Sequence, residues 1–256
     1  MTPPDRDPEV TDAVTELVEE DVEPARRRKL LGRLVRAQAK TRGFVGTLSP
    51  RAAVRWMTQA ITDVAPHLPI RDLETLRRHH NGKSGDELAD RLIRNAARAT
   101  AGIGATGGGV AAIEWVVTPA LLTAPVLLAA ETVAVVAIEI KLIGELHEVY
   151  GQPVPGKPTE RAVALVQAWA QRRGVNPLAP GRGIAAALGT AARKELRERL
   201  AKRFGRNLTT LGPLMTGAVV AGVLNRRATL HLAEEVQRDL RKSRRALPPG
   251  GRDGGS

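Results

Sequence analysis

Two stretches of this chain carry almost no charge and are built largely of small residues: Ala99–Ile113, continuing past Glu114 into Trp115–Ala130, and Asn207–Asn225. Segments of that kind must either be enclosed by other helices or enter lipid, because in water they would leave a large apolar surface wet. A span needs roughly 20 consecutive apolar residues. Trp115–Ala130 offers sixteen, interrupted by Pro119 and Pro125 and followed at once by Glu131. Asn207–Asn225 offers nineteen, but they include Pro213, three glycines, three threonines and an Asn at each end. Lys202, Arg203 and Arg206 lie on one side of it and Arg226 and Arg227 on the other, so charge asymmetry assigns no orientation to a single crossing. The stretches therefore read as a hairpin inserted shallowly from one leaflet, with the core of a soluble bundle as the competing reading.

Composition supports helices. Hydrophobic residues make up 43% of the 256, yet aromatics only 2%, so the core must come from Ala, Leu and Val. Ala and Leu are strong helix formers, and small side chains let helix axes approach. No stretch alternates as a strand does, which predicts an all-α fold: a single multi-helix domain with a glycine-rich, Pro-interrupted central helical hairpin. The formal charge of +12 suits nucleic acid or anionic lipid, though 31 arginines against eight lysines also fit a GC-rich coding bias. Zero cysteines exclude disulfides, thiolate nucleophiles and Cys-based metal sites. The N-terminus is acidic and apolar-poor, unlike a secretory signal, so a cytoplasmic location is expected.

Residues 1–24 read as an acidic tail, 25–246 as the helical domain and 247–256 as a disordered tail. The first 23 residues hold nine acids, whereas 26–42 hold eight bases and no acid. Either the acidic segment folds over the basic one and masks it, or both are solvated. Within the basic block Leu30, Leu34 and Ala37 recur at helical spacing beside Leu31 and Val35. That pattern fits a membrane-surface helix, whose candidate lipid contacts are Arg26, Arg27, Arg28, Lys29, Arg33 and Arg36, and equally a helix docked on a core. Further helices are predicted for Pro50–Val64, Arg71–His79, from Ser84 with a Ser84/Glu87 capping box, up to Tyr150, over Thr159–Arg173 and Ile184–Arg203, and as a final pair, Pro213–Asn225 and Thr229–Arg245. GQPVPGKP and VNPLAPGRG read as loops.

Several motifs have the letters of chemistry without its context. Gly102-Ile-Gly104-Ala-Thr-Gly107 matches G-x-G-x-x-G, but a helix precedes it where dinucleotide binding needs a strand. Gly104 and Gly108, four apart, are better suited to close helix packing, as are Gly217 and Gly222. Asn81-Gly82-Lys83-Ser84 has Arg77 where a phosphate loop needs Gly. Ser84, near His79 and His80, has Asp86 where a nucleophile elbow needs Gly, so it reads as a helix cap. His147-Glu148 lacks the second His of a zinc helix, and Glu145-Leu-His147 is one residue short of di-iron spacing. Glu131, Glu139 and Glu145 fall on one helix face, solvated or paired with arginines from a neighbour. No catalytic residue, metal or cofactor is expected.

From about Ala96 to Ala233 the chain resembles the EcsC family. The resemblance rests on Gly107-Gly108-Gly109 leading into a Pro-containing apolar helix, on Tyr150-Gly151, and on Leu211-Gly-Pro-Leu-Met-Thr-Gly-Ala with Asn225 and Thr229 downstream. It implies a bacterial, membrane-associated helical protein of unestablished biochemistry, in some genomes linked to an ABC-type exporter, with no agreed catalytic residues. The acidic N-terminus and the Glu-rich helix depart from that pattern. Together these readings give an accessory or scaffolding protein, not an enzyme, peripheral to the inner face of the cell membrane and binding anionic lipid or a membrane-protein partner. A basic helical protein that binds nucleic acid is the alternative, and a hydrolase the third.

Overall fold

Helix α6 (Ala124–Val149) lies at the centre of the molecule, its residues 129–146 buried except for Glu131, Thr132 and Val135, which are half-buried. Around it pack α1 (Pro8–Leu17), α2 (Pro24–Lys40), α3 (Pro50–Val64), the 3-10 turn Ala65–His67, α4 (Leu73–His79), α5 (Gly85–Glu114), α7 (Pro158–Arg172) and α8 (Pro213–Ala246). The computed structural model describes residues 8–20, 22–40, 50–114, 124–173 and 213–246, which are all-α, with no strand among them. The expected 184–203 helix, the loop before it and the 247–256 tail lie outside the described residues.

Proline sets many of the helix starts. α1, α2, α3, α7 and α8 each begin on one, where the missing N–H costs nothing because the first turn has no acceptor for it. Pro125 is likewise the second residue of α6, so it opens that helix rather than interrupting it. Asp72 caps α4 by accepting from the Thr75 N–H at 2.7 Å, and Asn81 and Gly82 leave it with φ of 54° and 76°. At the end of α6 the N–H of Gln152 bonds the His147 carbonyl at 2.9 Å and that of Gly151 bonds Glu148 at 3.1 Å. This paired closure needs a left-handed residue, and Gly151 supplies it at φ 68°.

Three expectations change. Residues 8–17 are not a tail but α1, whose Val10, Ala13, Val14 and Leu17 are buried because these positions form one helical stripe. The glycine cluster does not separate two elements: α5 runs through it for 30 residues. The last two expected helices are one helix of 34 residues, since Arg226, Arg227 and Ala228 are good helix formers and Asn225 bonds across to a neighbour instead of ending the turn.

Candidate functional site

α5 and α8 make the most extensive helix contact, and they run antiparallel. A Cβ at Gly104 would lie 2.7 Å from the backbone carbon of Ala221, and one at Gly222 would lie 2.9 Å from the Ala101 carbonyl oxygen. The two glycines thus let backbone meet backbone, as their small-residue spacing suggested. Gly108 and Gly217 belong to the same two helices, and their packing lies outside the described residues.

One turn toward the body, a buried polar layer joins four helices. Glu139 of α6, 1% exposed, accepts from Trp169 Nε1 at 2.8 Å, from the Thr229 hydroxyl at 2.8 Å and from Arg173. The Thr229 oxygen lies 3.0 Å from the Thr100 hydroxyl, and Asn225 Nδ2 donates to the Thr100 carbonyl at 3.3 Å. A buried carboxylate is costly unless donors surround it, and here they come from α7, the residue after it, and α8. The expectation of a Glu paired with a neighbour's Arg is met at Glu139, although the site is buried rather than solvated. Glu145 is also buried and is paired with Lys141 at 2.6 Å; burial raises its pKa.

A second layer lies farther along. Tyr150 donates to Asp86 at 2.6 Å and accepts from Gln237 at 2.9 Å, while Arg241 bonds the same Asp86 at 3.0 Å. The Tyr150 hydrogen bond, helped by Arg241, holds the Asp86 carboxyl below the usual carboxylate range. Tyr150, Asn225 and Thr229, singled out as scattered sequence motifs, therefore belong to the two polar layers that clamp α8 to α5 and α6. Trp169, Arg173 and Thr100 were not anticipated, since nothing in their local sequence marks them as partners of Glu139.

The basic face of α2 is divided. Arg26 pairs with Glu16 of α1, with one nitrogen at 2.7 Å, and that bond lowers the Glu16 pKa. Arg27 turns inward onto Gly102. Arg28, Lys29 and Arg36 are exposed and Arg33 is half-buried, whereas Leu30, Leu31, Leu34 and Ala37 are all buried. The apolar side of α2 is therefore spent on the core, and Arg28, Lys29 and Arg36 face water. Ser84 and His79 are exposed while His80 is buried beside Glu20, 3.4 Å from its carboxylate. Among the described residues no group of His, Asp and Glu could hold a metal.

The pairing of Thr100 with Thr229 and Gly104 with Ala221 brings the charge-poor halves of α5 and α8 to one end, α5 closing on Glu114. Arg98, Arg226 and Arg227, all exposed, border them at about the same level. Val219 and Val223, 63% and 42% exposed, lie just beyond this border. Glu131, on the same end of α6, is half-buried, and burial pushes its pKa up to about 8, so it is mostly uncharged at neutral pH. No helix among the described residues is long and apolar enough to cross a membrane. Compared with protein-family models, with characterised proteins and with solved structures, the chain matches none.

Proposed function

We propose that this chain is an EcsC-like accessory or scaffolding protein that docks on an anionic membrane surface from the cytoplasmic side, with the charge-poor end of its bundle foremost. The observation that carries the reading is the separation of charge along α5 and α8. Past Arg98 and Arg226 both helices are apolar and small except for Glu114, the last residue of α5, with exposed Val219 and Val223, while arginines border this end. An apolar tip with a cationic collar suits an interface in which side chains sink a short way and cations meet headgroups. The outward Arg28, Lys29 and Arg36 of α2 add to the attraction, and α2 contributes no apolar face, so docking is shallow.

Flotation of the purified protein with neutral and with anionic liposomes tests this. Binding to anionic vesicles should weaken as salt rises. Each cation near such a surface contributes about 1 kcal/mol, so reversing Arg226 and Arg227 to Glu removes at least about 2 kcal/mol, roughly a thirtyfold loss. Val219→Asp with Val223→Asp should release the protein at low salt as well. Absence of vesicle binding, or undiminished binding by both pairs of variants, overturns the proposal.

A further inference from the structure

A cavity of about 350 Å³ lies between the α1–α2 turn, α5 and α6, with no described residue of α8 in its lining. Its walls are apolar at Val22, Ala96, Ala99, Ile138 and Leu142, Glu23 and Arg98 line it as well, and its other charges stand toward two ends. At one end stand three carboxylates, Glu19, Glu20 and Glu145. Arg71 bonds Glu19 at 2.8 Å and Glu20 at 3.0 Å, Asn95 donates to Glu20 at 3.1 Å, and Lys141 holds Glu145. With the His80 imidazole, 3.4 Å from Glu20, neutral, two cations face three carboxylates at that end among the described residues.

Arg27 marks the other end. Its guanidinium rests on Gly102, where a Cβ would meet Cζ at 3.1 Å, so any larger residue would push it aside. Its Nε is buried and has no hydrogen-bond partner among the described residues, and burial lowers the Arg27 pKa. A guanidinium held in this way is an incomplete ion pair, awaiting an oxygen anion. Along α5 the level of Asn95, where Glu20 is held, and that of Gly102 are seven residues apart, roughly 10 Å of helix rise. Two hydrogen bonds of about 2.8 Å leave room between the ends for a skeleton of a few carbons.

We infer that this cavity binds a small zwitterion of the amino-acid type, with its carboxylate on Arg27 and its ammonium toward Glu19 and Glu20. A plain anion would complete Arg27 but face the carboxylates at the far end, and a plain cation would leave Arg27 unpaired. Opposite charges on one short chain meet both ends, and the apolar walls cover its methylenes.

Isothermal titration of the full chain with β-alanine and 4-aminobutyrate, against butyrate and butylammonium, decides the matter. The zwitterions should bind at least about tenfold more tightly than either singly charged analogue. Arg27→Met should abolish binding, and so should Ala99→Leu, which fills the cavity without removing a charge. Circular dichroism must show both variants folded, and binding that survives in either folded variant overturns the assignment. So does the absence of heat with both zwitterions, or butyrate binding as well as 4-aminobutyrate. Because no lipid enters this experiment, its failure leaves the membrane proposal untouched.

Discussion

Replacing Gly104 with Ala should destabilise the protein by about 2 kcal/mol, although alanine is the better helix former. The new Cβ would sit 2.7 Å from the Ala221 carbonyl carbon, 2.8 Å from its oxygen and 2.8 Å from Asn225 Nδ2, short of the 3.4 Å at which ordinary contact begins. Two of these atoms are backbone, so the helices themselves must part by roughly 0.7 Å. Overpacking of that kind costs about 1–3 kcal/mol. Strain on the Asn225 bond to Thr100 adds about 0.5–1.5 kcal/mol, and alanine's helix propensity returns about 1 kcal/mol. Gly32, inside α2, is the control: a Cβ there meets only Arg36 NH1 at 3.8 Å, so Gly32→Ala should stabilise by up to about 1 kcal/mol. Urea and thermal denaturation followed by tryptophan fluorescence compare the two. At roughly 2–4 °C per kcal/mol for a chain of this size, their melting temperatures should move in opposite directions. A Gly104→Ala protein as stable as the parent would refute the backbone-contact argument.

Glu139→Gln replaces one acceptor by a donor that faces other donors, among them Trp169 Nε1, and should cost about 3–5 kcal/mol in the same assay; a loss under about 1 kcal/mol would show the carboxylate to be dispensable. Tyr150→Phe removes the hydrogen bond that most depresses the Asp86 pKa, so that carboxyl should titrate closer to its usual range in a carbon-detected NMR titration, and an unmoved titration would assign the depression to Arg241 instead. Glu131 carries a folded-state pKa of about 8 against an ordinary 4.5, so the native state holds the extra proton between those values. Stability should therefore fall as pH rises from about 4.5 to about 8, and Glu131→Gln should flatten that slope.

The helices were legible wherever their starts were encoded locally. Pro50, Pro158 and Pro213 open elements at the expected positions, and Asn81-Gly82 and Gly151 end them, because these residues act through their own backbone. Of the four glycines named for close packing, Gly104 and Gly222 lie against neighbouring backbone, while the packing of Gly108 and Gly217 lies outside the described residues. Long-range pairing was not legible. Trp169 and Arg173 lie 30 and 34 residues from Glu139, and Thr229 lies 90 away; no local pattern links them. α1 was hidden for another reason. Its acids dominate the composition, while a stripe of only four buried residues, Val10, Ala13, Val14 and Leu17, decides its place. The same blindness applied to α2, whose seven cations look alike in sequence. Only the packing distinguishes Arg27, turned onto Gly102, from Arg28 and Lys29, turned to water.

The polar layers answer a problem that the glycine contact creates. Ala101, Gly104 and Ala105 on α5, against Ala221 and Gly222 on α8, let the helices approach closely, but small side chains interlock weakly, and a slip of one turn, about 5.4 Å, would still bring small residues together. Such a slip would draw Thr229 away from Glu139 and Gln237 away from Tyr150, leaving a buried carboxylate short of a donor. That costs several kcal/mol, far more than the slip loses in apolar contact. Register is therefore held by Thr229, Asn225 and Gln237 rather than by the glycines. The same register sets Arg98 level with Arg226 and Arg227, so the hydrogen bonds that close the core also align the charge boundary on its surface.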